Sequence, residues 1–407
     1  MMRVLHIGKY FPPFAGGMEY FLADLAQAQA QAGAKVAVLV HSERRQGYRT
    51  LPSGDRGITV YRAPCYGQLL YAPVSPAFPF WLKRAISEFR PDLLHLHLPN
   101  TSALLALAVP AARRLPWVVH WHSDVVSSLR DRRLAVAYGA YRPLERLILE
   151  KAHSIIATSP PYMQSSEALR PWLSRCVTIP LGIDINRIAE PTEGALKQAE
   201  DAWGSATLRV LAIGRLTYYK GHEVLIRAAA TVEDSRILIA GRGELKDHLA
   251  SLARDLNLRN RVQLIGYQSE DKLNALLATT DVLCLPSVER TEAFGLVQLE
   301  AMCFAKAVVV SDIPGSGTGW VARLANNALL TKPDDPADLS EKLRLLREDP
   351  ELRRALGAAG PATLAKHFDI GQVAGKVLAV YQGACADRSG RRTSSRARSD
   401  RDGSEAV

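Results

Sequence analysis

Cysteine is scarce and unpatterned in this chain of 407 residues: five in all, an odd number, with no Cys-x-x-Cys pair. Cys284 and Cys303 stand in apolar contexts, which reads as buried free thiols in a reducing cytoplasm. Long apolar runs are missing too. The longest, 103–112, is interrupted by Pro110 and is too short to cross a bilayer. The amino terminus offers only residues 4–7 as an apolar core, too few for a signal peptide, and then runs into a glycine-containing loop. No nucleic-acid recognition motif and no stripe of alternating basic and aromatic residues occurs. A complete dinucleotide fingerprint is also absent. Gly241-Arg-Gly243-Glu-Leu-Lys246 lacks the third small residue, which disfavours an NAD-dependent oxidoreductase.

What is present is an ordinary globular balance, 47% apolar and 23% charged, over a length that suits two domains. The net charge is +10 and the sequence pI about 9.4. The segment from residue 386 onward is Arg/Ser-rich and without apolar periodicity, so it reads as a disordered tail. It holds six arginines against four acids, so the remainder still carries +8. Anionic lipid headgroups and a diphosphate ligand are the partners this basicity favours over nucleic acid.

Apolar runs of strand length alternate with helical patterns throughout. Residues 4–8, 36–40, 58–62, 93–98, 117–121, 154–158 and 177–179 read as strands of a first sheet. Helices are expected over 18–31, 75–89, 102–113 and 134–151. A second series, 208–213, 236–240, 262–265, 282–285 and 307–310, repeats the pattern after a polar stretch, 190–205, that reads as a linker. Such alternation predicts parallel βαβ units: an α/β chain of two Rossmann-like domains. The expected divisions are 1–185, 186–368, a final helix over 369–385 and the tail 386–407.

Three loops carry chemistry. Residues 287–302, SVERTEAFGLVQLEAM, follow a strand-like run and open a segment of helical spacing, with Glu292 at the helix entry and Glu300 expected about two turns in. A helix start suits a phosphate, and the two carboxylates can accept hydrogen bonds from sugar hydroxyls. Upstream, Arg215 and Lys220 lie in Gly214-Arg-Leu-Thr-Tyr-Tyr-Lys-Gly221, between a strand and a helix, where an open parallel sheet binds ligands and where two cations can neutralise a diphosphate. Near the amino terminus, Gly16 and Gly17 allow the backbone to approach a phosphate or a sugar closely, or simply serve a loop that needs positive φ.

Two His-x-His pairs, His95/His97 and His120/His122, end two strands. On neighbouring strands their rings converge. No carboxylate or cysteine completes a metal site, so no metal is assigned. His122, where strand gives way to loop, is expected to face a cleft and donate a hydrogen bond to a sugar or to the transition state. Asp124 is expected to orient it or to bind the acceptor.

Taken together, PPFAGGMEYFLADLA, HWHSDVV, ATSPPY, IPLGID, GRLTYYKG, GRGEL, SVERTEAFGLVQLEAM and SDIPG resemble the family 4 glycosyltransferases, over roughly residues 3–385. The chain is similar to the bacterial branch that builds O-antigens and exopolysaccharides, often from GDP-mannose. The resemblance implies a GT-B fold with two domains facing across a cleft, retention of anomeric configuration, and no metal cofactor. It implies that Arg215 and Lys220 bind the donor diphosphate, with Gly16 and Gly17 nearby. Glu292 then touches the donor hexose, helped by backbone N–H groups around Phe294, Gly295 and Leu296. Glu300 binds the ribose, and His122 lies beside the reacting carbon. The final helix is expected to cross back to the first domain. Ala305 stands where the family usually has glycine, a change that touches no expected ligand. The expected acceptor is a glycan or polyprenyl-linked sugar at the inner face of the plasma membrane, with basic and apolar residues at 80–84 and 130–133 aiding docking. A sugar-nucleotide epimerase on the same fold and a basic nucleic-acid-binding protein are the rival readings.

Overall fold

The computed structural model describes residues 1–14, 16–51, 57–69, 72–125, 132–188 and 190–402. The chain divides into two compact units. Unit 1 comprises residues 1–158, 166–179 and 370–407; unit 2 comprises 159–165 and 180–369.

Unit 1 is built on an eight-stranded sheet. Its strands are β1 (Arg3–Ile7), β2 (Lys35–His41), β3 (Tyr48–Thr50), β4 (Thr59–Ala63), β7 (Leu93–Leu98), β8 (Trp117–Trp121), β9 (Ser154–Ala157) and β10 (Cys176–Thr178). Two further strands, β5 (Gln68–Leu69) and β6 (Ala72–Pro73), form a separate small hairpin. The order is β10-β9-β8-β7-β1-β2-β4-β3, parallel throughout except for β3. Both faces of such a sheet are covered, so its strands read as continuous apolar runs, and residues of β1, β2, β7 and β8 are buried almost without exception.

Unit 2 carries a six-stranded, wholly parallel sheet: β11 (Leu208–Ile213), β12 (Ser235–Ala240), β13 (Val262–Gly266), β14 (Val282–Leu285), β15 (Ala307–Ser311) and β16 (Ala328–Thr331). Its order is β13-β12-β11-β14-β15-β16. In each sheet the strand order reverses beside the first strand of the series: between β1 and β7, and between β11 and β14. Ligands of open α/β sheets bind at such a point, outside the carboxyl ends of the strands. The loops read as functional follow β1, β8, β11 and β14.

Several expectations need correction. The stretch read as a linker contains a helix, Glu193–Trp203, capped by the Thr192 side chain. Ala195, Ala199 and Trp203, spaced by four, bury one face of it in the unit 2 core, and a polar composition on the other face hid that stripe. The expected helix 102–113 is a 3₁₀ segment, Thr101–Ala108, followed by a short helix, Pro110–Arg113, because Pro110 can only begin a helix. The last helix, Ile370–Asp402, extends through most of the stretch read as a disordered tail. Val373, Ala374, Val377 and Tyr381 anchor its start, and no proline interrupts the Arg- and Ala-containing sequence that follows.

Among the described residues no helix is long and apolar enough to cross a membrane. The patch at 80–84 splits. Trp81 and Leu82 are buried, Phe80 and Lys83 are exposed, and Arg84 is ion-paired with Glu88 at 2.7 Å. In the second patch Arg130 and Asp131 lie outside the described residues, and Arg132 and Arg133 open the helix Arg132–Lys151.

Candidate active site

In unit 2 the loops after β11 and β14 interlock. Gly221 has φ 65°, and a Cβ there would collide with the carbonyl oxygen of Pro286. Only glycine permits both that backbone and that approach. Val288 N–H donates to the Tyr219 carbonyl at 2.8 Å, and the His222 ring donates from Nε2 to the Arg215 carbonyl at 3.2 Å. The glutamate of one loop and the lysine of the other meet here: Lys220 Nζ donates to Glu292 Oε2 at 2.5 Å, and Ser287 Oγ donates to the same oxygen at 3.0 Å. The two charged side chains are only 15% and 10% exposed. Burial alone would lower the Lys220 pKa, but the Glu292 carboxylate and the Tyr219 hydroxyl more than offset it and hold the ammonium above its usual range. Arg215, in the same loop as Lys220, is exposed to solvent.

The backbone around Glu292 is strapped from behind. Ser316 Oγ donates to the Glu292 carbonyl, and Gly317 N–H to the Ala293 carbonyl. Phe294 turns its ring inward onto Phe368, which leaves only its backbone to meet a ligand. Gly295, at φ 76°, makes the reversal that starts the helix Val297–Cys303. That helix begins later than the sequence spacing predicts, so Glu300 lies in its first turn and not two turns in. Glu300 is half-buried, near Cys303 and Arg187, and helps to push the Cys303 thiol up to about 12, after burial itself.

In unit 1, Gly16 precedes the helix Gly17–Gln31 in extended conformation, φ 171°, so no left-handed backbone is required there. A Cβ there would meet only the carboxylate end of the Glu19 side chain, which would have to shift. Gly17 is exposed at the helix start.

The two His-x-His pairs do converge. β7 and β8 are neighbours with His97 opposite His120, and β1 brings His6 opposite His95. All five rings lie on one face of the sheet and are buried, covered by the helix Gly17–Gln31, whose Phe21 packs edge-on against His120 and His122. His6, and the Gln29 and Tyr381 that join the cluster, escaped sequence reading. His6 is embedded in an apolar strand, and Tyr381 lies 286 residues from the histidine it touches. His6, His95 and His97 bring ring nitrogens within 4.8 Å of one another, as do His97, His120 and His122, so either trio is close enough for a metal ion. Burial holds every ring neutral at pH 7: His6 is lowered to about 4, His122 to about 3, and the others well below 6.5.

His122 is therefore not the exposed group the sequence suggests. Its Nε2 pairs with His97 Nδ1 at 2.9 Å, and its Nδ1 is buried without a partner. Asp124 does not orient it. That carboxylate accepts from Trp121 Nε1 at 2.9 Å and Ser166 Oγ at 2.6 Å. Beside Asp124, a cavity of about 660 Å³ is lined by Arg142, Glu145, Arg146 and Trp172 among others. Burial first, then the Asp124 charge, push the Glu145 carboxyl up to about 7, and its Oε2 has no partner.

This architecture and these loops match known proteins. Sucrose-phosphate synthase from Thermosynechococcus elongatus superposes with a TM-score of 0.77 at 22% identity, over 95% of this chain and 100% of that one. Anabaena HepE in complex with UDP-glucose gives 0.72 at 21%, over 94% and 100%. In sequence, the chain is 29% identical to the D-rhamnosyltransferase WbpZ of Pseudomonas aeruginosa over 370 residues, 90% of this chain and 92% of that protein. It is 28% identical to the O-antigen chain mannosyltransferase C of Escherichia coli, over 88% and 91%. It is likewise 28% identical to the phosphatidyl-myo-inositol mannosyltransferase of Mycolicibacterium smegmatis, over 94% of each. The family described as glycosyl transferases group 1 matches residues 198–363, the part holding Lys220 and Glu292, and the glycosyl transferase 4-like domain matches residues 16–182, the part holding His95, His97, His120 and His122. The chain belongs to the group 1, or family 4, glycosyltransferases of GT-B fold, hexosyltransferases that take their sugar from a nucleotide-sugar.

Proposed function

We propose that this glycosyltransferase moves a manno-configured hexose, mannose from GDP-mannose, to a glycan or polyprenyl-linked acceptor in cell-surface polysaccharide synthesis, with retention of configuration. Two of the relatives are named mannosyltransferases and one a D-rhamnosyltransferase, and D-rhamnose is 6-deoxymannose. The observation that carries the reading is the buried Lys220–Glu292 pair, held where two switch-point strands end.

In this reading Lys220 and Arg215 stabilise charge on the departing diphosphate, the electrostatic contribution that usually dominates such a step. Glu292 exchanges its lysine for a hexose hydroxyl. Glu300 binds the ribose, and the backbone of Phe294, Gly295 and Leu296 assists. From unit 1, Gly16 and Gly17 approach the diphosphate and His122 stands beside the reacting carbon. On the acceptor side, Asp124 and the cavity of Glu145 and Trp172 offer carboxyl groups for sugar hydroxyls and an aromatic face. Arg142 and Arg146 suit the phosphate of a lipid-linked sugar. No metal is required, because two cations already serve the diphosphate.

The test is a melting-temperature screen with GDP, UDP and ADP and their hexose conjugates, followed by product analysis with the best donor. GDP-mannose should give the largest shift and a product of retained configuration. A larger shift with UDP-glucose, or inversion, would replace the donor or the stereochemistry. Conversion of the donor sugar into its epimer without an acceptor would make the protein an epimerase.

A further inference from the structure

The cavity beside Asp124 is a groove between two segments of unit 1, the helix Arg132–Lys151 and the 3₁₀ segment Arg170–Arg175 with the residues before it. Gly139, Arg142, Pro143, Arg146 and Leu147 recur at helical spacing and form one wall. Ala168, Pro171 and Trp172 form the other. Its volume of about 660 Å³ is that of a small-molecule site, ~300–1,000 Å³.

Three features of the groove call for a ligand of mixed character. Leu147 is 48% exposed, and Leu173, beside Trp172, is 40% exposed. One such leucine is ordinary on a surface, but these continue a wall of proline, alanine and tryptophan. Arg142 and Arg146 stand one helical turn apart, where like charges repel, and neither has an ion pair among the described residues. Glu150 and Glu167, also in the lining, leave them unpaired. Glu145 is buried in the lining with Oε2 unpartnered. With a pKa of about 7 it is partly neutral at pH 7, and a neutral carboxyl can donate to a phosphate oxygen.

We propose that this groove seats an amphiphile: a hydrocarbon chain along Leu147, Pro171 and Trp172, with its phosphate on Arg142 and Arg146. The acceptor is then lipid-linked and not a free glycan. A free glycan would leave the apolar wall unused, and a bilayer surface would meet the rim without entering the recess that Glu145 lines. That the amphiphile is the acceptor rests on the proposed function; its binding does not.

The experiment is calorimetry on the full-length protein with farnesyl phosphate, kept below the concentration at which it aggregates. Geranyl phosphate, farnesol, inorganic phosphate and anionic phospholipid vesicles are the comparisons. Each buried methylene is worth about four-fold in affinity, so farnesyl phosphate should bind at least about 10-fold tighter than geranyl phosphate. Farnesol and inorganic phosphate should each bind at least about 10-fold more weakly than farnesyl phosphate. Arg146→Ala should weaken farnesyl phosphate roughly 10-fold and leave farnesol unchanged. Gly139→Leu should weaken both. A Cβ at Gly139 meets no atom within 4 Å, and leucine favours a helix over glycine, so this variant fills the groove without harming the fold.

No binding of farnesyl phosphate, affinity no better than that of inorganic phosphate, or parental affinity in both variants overturns the proposal. So does capture by the vesicles without binding of the dispersed probe, which would make this face a membrane contact. A melting-temperature screen with GDP separates the two readings. A parent that binds farnesyl phosphate and ignores GDP upholds the groove and removes the proposed donor.

Discussion

The two units share a parallel-sheet plan and bury polar groups in opposite ways. Unit 1 keeps six histidines uncharged inside it: the five of the cluster, and His41, lowered to about 4 by burial and hydrogen-bonded to Ser102. Unit 2 keeps one such histidine, His222, and a charged Lys220–Glu292 pair. Neutral rings need no counter-ion, and His6, His97 and His122 hydrogen-bond to one another, although both nitrogens of His120 are buried without a partner. A buried ion pair rarely adds net stability over an apolar pair, so its retention points to a task at the site.

The sharpest way to break this comparison is acid. A histidine whose folded pKa is depressed is neutral in both states above about 6.5. Between that value and the folded pKa, about 4 for His6 and about 3 for His122, the unfolded chain binds more protons, so stability falls as pH falls. Each such proton is worth about 1.4 kcal/mol per pH unit. Glu145 and Glu19 in unit 1, whose pKa values are raised by burial, act in the opposite sense but number two against six. Going from pH 7 to 5 should destabilise unit 1 by several kcal/mol more than unit 2. Hydrogen exchange at both values, corrected for intrinsic rates, should show it. Equal loss of protection in the two units would contradict the neutral cluster.

The ion pair gives the next largest effect. Glu292→Gln should lower transfer at least 100-fold and cost unit 2 on the order of 1–3 kcal/mol, because Lys220 loses its partner. The double substitution Lys220→Met with Glu292→Leu should regain most of that stability and none of the activity. A double variant less stable than Glu292→Gln would make the pair structural. Smaller again is Gly221→Ala, which must move the Pro286 carbonyl and hold a left-handed backbone. We expect about 1–3 kcal/mol lost from unit 2 and weaker nucleotide binding, read by melting and calorimetry. Chelation should have the smallest effect. Activity in EDTA is expected to stay at the parental level, and a loss restored by Mg²⁺ or Mn²⁺ would return the histidine trios to consideration as metal ligands.

The parallel sheets were legible because buried strands are short apolar runs: 93–98, 117–121, 208–213 and 282–285 coincide with β7, β8, β11 and β14. The loops after β11 and β14 were also legible, since their glycines, cations and carboxylates stand next to those runs. The strand order was hidden, because pairing of β11 with β14 joins residues about seventy apart. For the same reason the meeting of Lys220 with Glu292 could not be read from spacing. Histidines in an apolar strand look like interruptions of the core until a neighbouring strand supplies their partners. The helix 193–203 was missed because its three buried positions are outnumbered by polar ones.

Unit 1 is assembled from segments that leave the ribosome far apart in time. Its sheet ends near residue 179, yet the last helix, which packs against the helix Gly17–Gln31 and brings Tyr381 to His95, arrives two hundred residues later, after the whole of unit 2. At ~5–20 residues per second the gap lasts roughly 10–40 s. For that interval the surface of unit 1 on which Val373, Val377 and Tyr381 are later buried stays open to water, while unit 2 is still being made. Synthesis interrupted just after residue 369 would release a protein with a complete second unit and an unfinished first one, a natural substrate for chaperones.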